Sequence, residues 1–156
     1  MGLIYKYKIN FLEVCIFMSM FGAGLISVAN ASEYKIIVNK NSTIDKLSPS
    51  QIKRIFLGKI RRLSSGERAV PLDLSKNSAI RKKFYSQVIC KSQSQMNAYW
   101  MRLVFTGKGR PPEEVSDSDA MLEKVASVNG YIAYIKAEKL SDKVKEVMII
   151  SEGGIE

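Results

Sequence analysis

Ser75, Lys76, Asn77 and Ser78 stand in a row between an extended, β-type stretch at 69–74 and a helical pattern that opens near Ala79. A strand entering a helix through such a turn points hydroxyls and unpaired backbone N–H groups at one spot, at the positive end of the helix dipole. Lys76 and Arg81 add positive charge beside it. The chemistry on offer is noncovalent capture of an anion, with Ser75, Asn77, Ser78, the N–H of Ala79 and Arg81 as candidate ligands. A serine at position 78 is equally what an ordinary helix cap requires, so residue type alone does not separate the two roles.

Other chemistries are poorly supplied. The chain has no histidine, which removes Ser-His-Asp triads, Cys-His dyads and histidine-bearing metal sites. No convergent pair of carboxylates and no Ser-Lys pair stands out, so neither an enzyme nor a bound cofactor is expected. The segment 106–112 (TGKGRPP) has two glycines and two cations but lacks P-loop spacing. It reads as a loop on the basic rim of the same pocket. The loop 59–68 carries Lys59, Arg61, Arg62 and Arg68 around a Ser64-Ser65-Gly66 turn and reads as a solvated rim.

The elements that position these residues are marked by local signals. Ser48, Pro49 and Gln51 spell an N-cap, a first-turn proline and a capping box, with Leu47 and Ile52 as a hydrophobic staple. That helix is expected over 49–57, with Ile52, Ile55 and Phe56 inward and Gly58 as its stop. A second helix is expected over 79–91, bearing Ile80, Phe84 and Val88. A third spans 93–105, with Met96, Tyr99, Trp100, Leu103 and Val104 on a broad apolar stripe read as core. A fourth is capped by Ser116 or Ser118, anchored by Met121, Leu122 and Val125, and ended by Asn129-Gly130. Strands are expected at 34–38, 69–74, 131–135 and 144–150. The continuous apolar run at 131–135 belongs at the centre of a sheet covered on both faces. This order of strands and helices argues for an α/β three-layer sandwich.

A length of 156 residues suits one domain. Lys6 and Lys8, the apolar run 14–28 and Ala29-Asn30-Ala31 have the form of a secretory signal peptide over 1–31, leaving 32–156 as a single mature domain. Retention of that segment as an anchor is the other reading. Leu12-Glu13-Val14-Cys15 lacks the small residues expected before a lipidated cysteine. Cleavage removes Cys15, so Cys90 has no intrachain partner; it falls in a helical stretch and is expected to be a packed apolar residue. The formal charge of +9 becomes +8 once Lys6, Lys8 and Glu13 are removed. A basic surface favours anionic partners, and export to the periplasm or medium argues against nucleic acid among them.

Several of these stretches carry a resemblance. SPSQIKRIFLGK, the turn and helix from Asp73 to Phe84, YWMRLVFTGKGRPP and GYIAYI follow one another as in the substrate-binding proteins of phosphate ABC transporters. The chain most resembles the short, single-lobe relatives within that type 2 periplasmic-binding family, over roughly residues 36–135. The resemblance implies phosphate or a similar oxyanion as ligand, held by Ser78, its neighbour Ala79 and Arg81. The family turn usually has glycine where Ala79 stands here, and a tryptophan commonly sits near Leu63. The family's other phosphate-binding loop has no counterpart, since the mature chain begins at the strand that follows it. A two-lobed receptor needs about twice this length, so the chain supplies at most one wall of a cleft. The implied roles are therefore weak oxyanion binding, alone or with a membrane transporter or second chain, or an envelope interaction protein of the same fold that has lost its ligand.

Overall fold

Successive residues of a strand point to opposite faces of a sheet, so unbroken burial along a strand requires cover on both sides. In the computed structural model, which describes residues 34–150, β1 (Tyr34–Asn39) buries Ile36, Ile37 and Val38 in succession. Its neighbour β4 (Tyr131–Lys136) buries Ile132, Ala133, Tyr134 and Ile135. With β2 (Val70–Leu74), β3 (Glu113–Val115) and β5 (Val144–Ile150) they form one mixed sheet, ordered β3-β2-β4-β1-β5. β2 runs parallel to β3 and β4, whereas β1 is antiparallel to β4 and β5.

The two faces carry different helices. On the Tyr134 face, α1 (Pro49–Phe56) and α2 (Ala79–Phe84) bring Phe56 and Phe84 onto the tyrosine ring. The Phe84 and Tyr134 rings stack with centroids 4.0 Å apart, and Phe56 meets Phe84 edge-on at 4.7 Å. On the other face Asn39 Nδ2 donates to the carbonyls of Val125 (3.0 Å) and Ala126 (2.7 Å), which ties α4 (Ser118–Ser127) to β1. The result is the α/β three-layer arrangement expected from the order of elements.

Local signals hold where they are backbone-encoded. Ser48 Oγ accepts from Gln51 N at 3.3 Å while Gln51 Oε1 accepts from Ser48 N at 2.8 Å, and the staple residues Leu47 and Ile52 are buried. Gly58 follows α1 at φ +68°, a conformation that costs an L side chain energy. A second capping box, Ser92 with Gln95, opens α3 (Gln93–Phe105). It lies in plain view as S-x-x-Q at 92–95.

Four expectations are corrected. The second helix does not continue to 91: α2 passes into a π-helical turn, Tyr85–Ile89, and stops at Cys90 in the left-handed region, φ 56°. The wider turn swings Cys90 off the apolar face, so it is exposed rather than packed. In α3 the core takes Met96 and Trp100, with Tyr99 and Leu103 half-buried, but Val104 is exposed because the last turn overhangs the core. The fourth helix is capped by Asp117, whose Oδ1 accepts from Asp119 N (3.0 Å) and Ala120 N (2.9 Å), not by Ser116 or Ser118. β3 carries no strand signal in the sequence, being three residues long and largely charged. The expected signal segment, 1–31, lies outside the described residues. Among the described residues no helix is long and apolar enough to cross a membrane.

Candidate anion site

The turn after β2 rests on a buried polar hub. Asp73, on β2, is 1% exposed, and its carboxylate accepts from four donors. Arg81 Nε (2.8 Å) and Tyr85 OH (2.7 Å) reach Oδ2, while Tyr134 OH and Leu74 N (3.0 Å) reach Oδ1. Arg81 Nη1 donates onward to Gln93 Oε1, and the guanidinium lies 4.5 Å from the Tyr85 ring centroid. A buried carboxylate is tolerable only with such saturation, since an unpaired charge there is expensive. Burial works against the charged guanidinium, but the Asp73 carboxylate outweighs it and holds Arg81 above its ordinary pKa. Burial, and then the same negative charge, push the Tyr85 and Tyr134 hydroxyls upward, so both stay protonated donors.

The turn itself is closed by the backbone. Ser78 N donates to Ser75 O at 2.9 Å, Lys82 N to Ser78 O at 3.1 Å, and Arg81 N to Ser78 Oγ at 3.3 Å. The N–H groups of Ala79 and Ile80, the first two of α2, have no acceptor within the helix. Ser75, Lys76, Asn77 and Ala79 are exposed and Ser78 is half-buried, so the donors stand at the surface above the hub.

The expected site residues are thus divided. Ser75, Asn77, Ser78 and Ala79 share the exposed turn. Arg81 lies beneath it, 4% exposed, with its charge committed to Asp73. A cavity of about 530 Å³ beside the turn is lined by Asp73, Lys76 and Arg81, and on the α3 side by Asn97, Trp100 and Met101; the four turn residues do not line it. The Asp73–Tyr85–Tyr134 hub is not among the residues expected from sequence. The signal for it was a lone aspartate inside an otherwise apolar strand.

The basic loop 59–68 is also built rather than loose. Ala69 N donates to Arg61 O and Leu63 N to Glu67 O, each at 3.0 Å, and Arg62 Nη1 reaches Gly66 O. Glu67 clamps the loop to the segment after β1, accepting from Ser42 Oγ (2.7 Å) and Thr43 N (2.8 Å). Of the 106–112 loop, Arg110, Pro111 and Pro112 join this region, so the two basic loops meet. Among the described residues no cluster of three or more Cys, Asp or Glu side chains is placed to hold a metal ion.

No family model and no curated protein matches the sequence. Solved structures do. A protein assigned as a phosphate ABC transporter substrate-binding protein from Clostridium perfringens, with bound phosphate, superposes with a TM-score of 0.61 at 21% identity, over 76% of this chain and 45% of its own. An ABC-type phosphate transport receptor from Vibrio cholerae gives 0.59 at 16% identity, over 75% and 46%. PstS from Borrelia burgdorferi gives 0.57 at 10% identity, over 75% and 47%. The chain spans less than half the length of each. At these identities the likeness is one of fold, and this chain has the fold of a single lobe of the phosphate ABC transporter substrate-binding proteins.

Proposed function

We propose that this is an exported, solute-binding-like protein that holds inorganic phosphate or a similar oxyanion weakly at the 75–79 turn, in connection with phosphate ABC transport. The observation that carries the reading is the turn: the exposed Ser75 hydroxyl, the half-buried Ser78 hydroxyl and the Ala79 and Ile80 N–H groups, which have no acceptor within the helix, follow the end of β2, with Lys76 beside them. The fold shared with a phosphate-bound receptor supports it. Arg81 acts from below, holding the turn through Asp73 rather than touching the anion. No catalysis is assigned to this site.

A single lobe leaves its anion in water, where charge pairing is weak. Monomeric protein should therefore bind phosphate with a millimolar Kd, about −4 kcal/mol. A transporter subunit or second chain lying on this face would exclude water and tighten every polar contact. Met101 and Phe105, 71% and 92% exposed on α3, support such a contact, and Met101 lines the cavity beside the turn. Nucleic acid is not a partner in this reading, because residues 1–31 direct export. Calorimetry with phosphate, sulfate and short polyphosphate on protein shown to be monomeric tests the proposal. Submicromolar phosphate affinity in the monomer would contradict the open half-cleft.

A second reading has its own observation. Ser78 Oγ already serves as the α2 cap and the Arg81 charge is neutralised by Asp73. An interaction protein that retains the fold without the ligand needs no more than this. Absence of any anion binding, alone or in an assembly, favours it.

A further inference from the structure

We infer that a second cavity, on the far side of Trp100 from the turn, is a binding site for a small organic acid: a phosphate or carboxylate group carried on an apolar body. The cavity measures about 400 Å³, within the range of small-molecule sites. Arg61, Arg62, Arg68 and Arg110 line it, brought together from two loops some forty residues apart in sequence. The single carboxylate in the lining, Glu113, is paired with Lys124. Among the described residues no carboxylate lies within salt-bridge distance of any of the four arginines. Arginines that border one cavity without counter-charge give it a positive potential, which an anion neutralises while offering bidentate geometry.

The rest of the lining selects against a bare inorganic ion. Ile55, Ile60, Trp100, Pro111 and Pro112 present an apolar wall that a hydrated phosphate leaves wet. Trp100 packs beside Gly58 and Gly109, with close approach only at Gly58. A Cβ on Gly58 would stand 3.1 Å from Trp100 Cη2, and one on Gly109 would stand 3.6 Å from Cζ3. The backbone of the arginine loop is fixed in turn by Glu67 on Ser42 and Thr43, so the ligand has the exposed arginine side chains to order rather than the loop itself. This cavity includes Val70 and Pro71, the opposite end of β2 from the turn, and shares with the first cavity only Trp100, Pro111 and Pro112. The inference does not rest on phosphate binding at the turn.

Trp100 is the chain's single tryptophan, so its fluorescence reports on the cavity directly. The test is a titration of the full chain with phenyl phosphate and, in parallel, with inorganic phosphate, followed by Trp fluorescence and calorimetry. Phenyl phosphate should saturate and bind about tenfold more tightly than inorganic phosphate, since the ring buries apolar surface. Combining Arg61→Gln, Arg68→Gln and Arg110→Gln should weaken phenyl phosphate by about tenfold or more. These side chains are exposed, and circular dichroism with an unchanged melting temperature verifies the fold. Lys76→Gln with Ser78→Ala should leave phenyl phosphate binding unchanged. Equal affinity in the triple variant and parent, loss of binding only in the Lys76/Ser78 variant, or no phenyl phosphate binding at all would each overturn the inference. Loss of inorganic phosphate binding only in the Lys76/Ser78 variant bears on the turn and leaves this result separate.

Discussion

Arg81 Nε lies 2.8 Å from Asp73 Oδ2, and both side chains are buried. The two residues are eight apart in sequence, on α2 and on the strand before it, so their pair staples the 75–79 turn from beneath. An arginine beside a candidate anion turn invites a ligand role; here its charge is already paired with Asp73, and its removal has a structural signature.

Arg81→Met leaves the Asp73 carboxylate buried with one charge partner gone. Losing one member of a buried pair costs about 3–5 kcal/mol. Urea denaturation measures it, and a loss below about 1 kcal/mol would mean that Tyr85 and Tyr134 suffice for Asp73.

At Ser78 the cap and the anion role can be separated. Asp caps a helix as well as Ser does. Ser78→Asp should therefore keep the melting temperature of the parent while abolishing phosphate binding by like-charge repulsion. Ser78→Ala should lose about 1 kcal/mol of stability whatever the ligand does. Phosphate affinity unchanged in Ser78→Asp places the anion elsewhere.

Gly58 joins a backbone requirement to a packing one. Its φ of +68° and its closeness to Trp100 both penalise a side chain. Gly58→Ala should cost about 1–2 kcal/mol and shift the Trp100 emission as the indole moves. An unchanged emission maximum would show that α1 yields instead of the tryptophan.

Glu67 predicts an acid sensitivity. Burial raises its pKa, but hydrogen bonds from Thr43 and Ser42 outweigh burial and hold it below its ordinary 4.5. A carboxylate depressed in the folded state stabilises above its unfolded pKa and loses that contribution as pH falls through the folded value. Stability should thus decline below about pH 4.5, and Glu67→Gln should flatten that part of the profile. A parallel decline in parent and variant assigns the acid limb to other carboxylates.

Export is tested most simply by N-terminal sequencing of secreted or periplasmic protein, which should read Ser-Glu-Tyr from position 32. Intact Met1 in a membrane fraction would show that the segment is retained.

The sequence by itself determined what the backbone decides within a few residues. The Ser48–Gln51 capping box, the Gly58 stop, the Ser78 cap and the two-face burial of 131–135 all depend on neighbours one to four positions away or on strand alternation, and residue types report these directly. Tertiary structure decided the rest. Nothing local pairs Arg81 with Asp73 in preference to a solvent anion; that follows from where α2 packs on Tyr134. Nothing local brings Arg110 to Arg61 and Arg68, or exposes Phe105 while burying Trp100, because each depends on how far α3 overhangs the sheet. Cys90 left the apolar face through a single π-helical turn, which the periodicity of the surrounding residues does not encode. Side-chain roles at a site are long-range facts, settled by packing between elements whose relative placement short sequence patterns leave open.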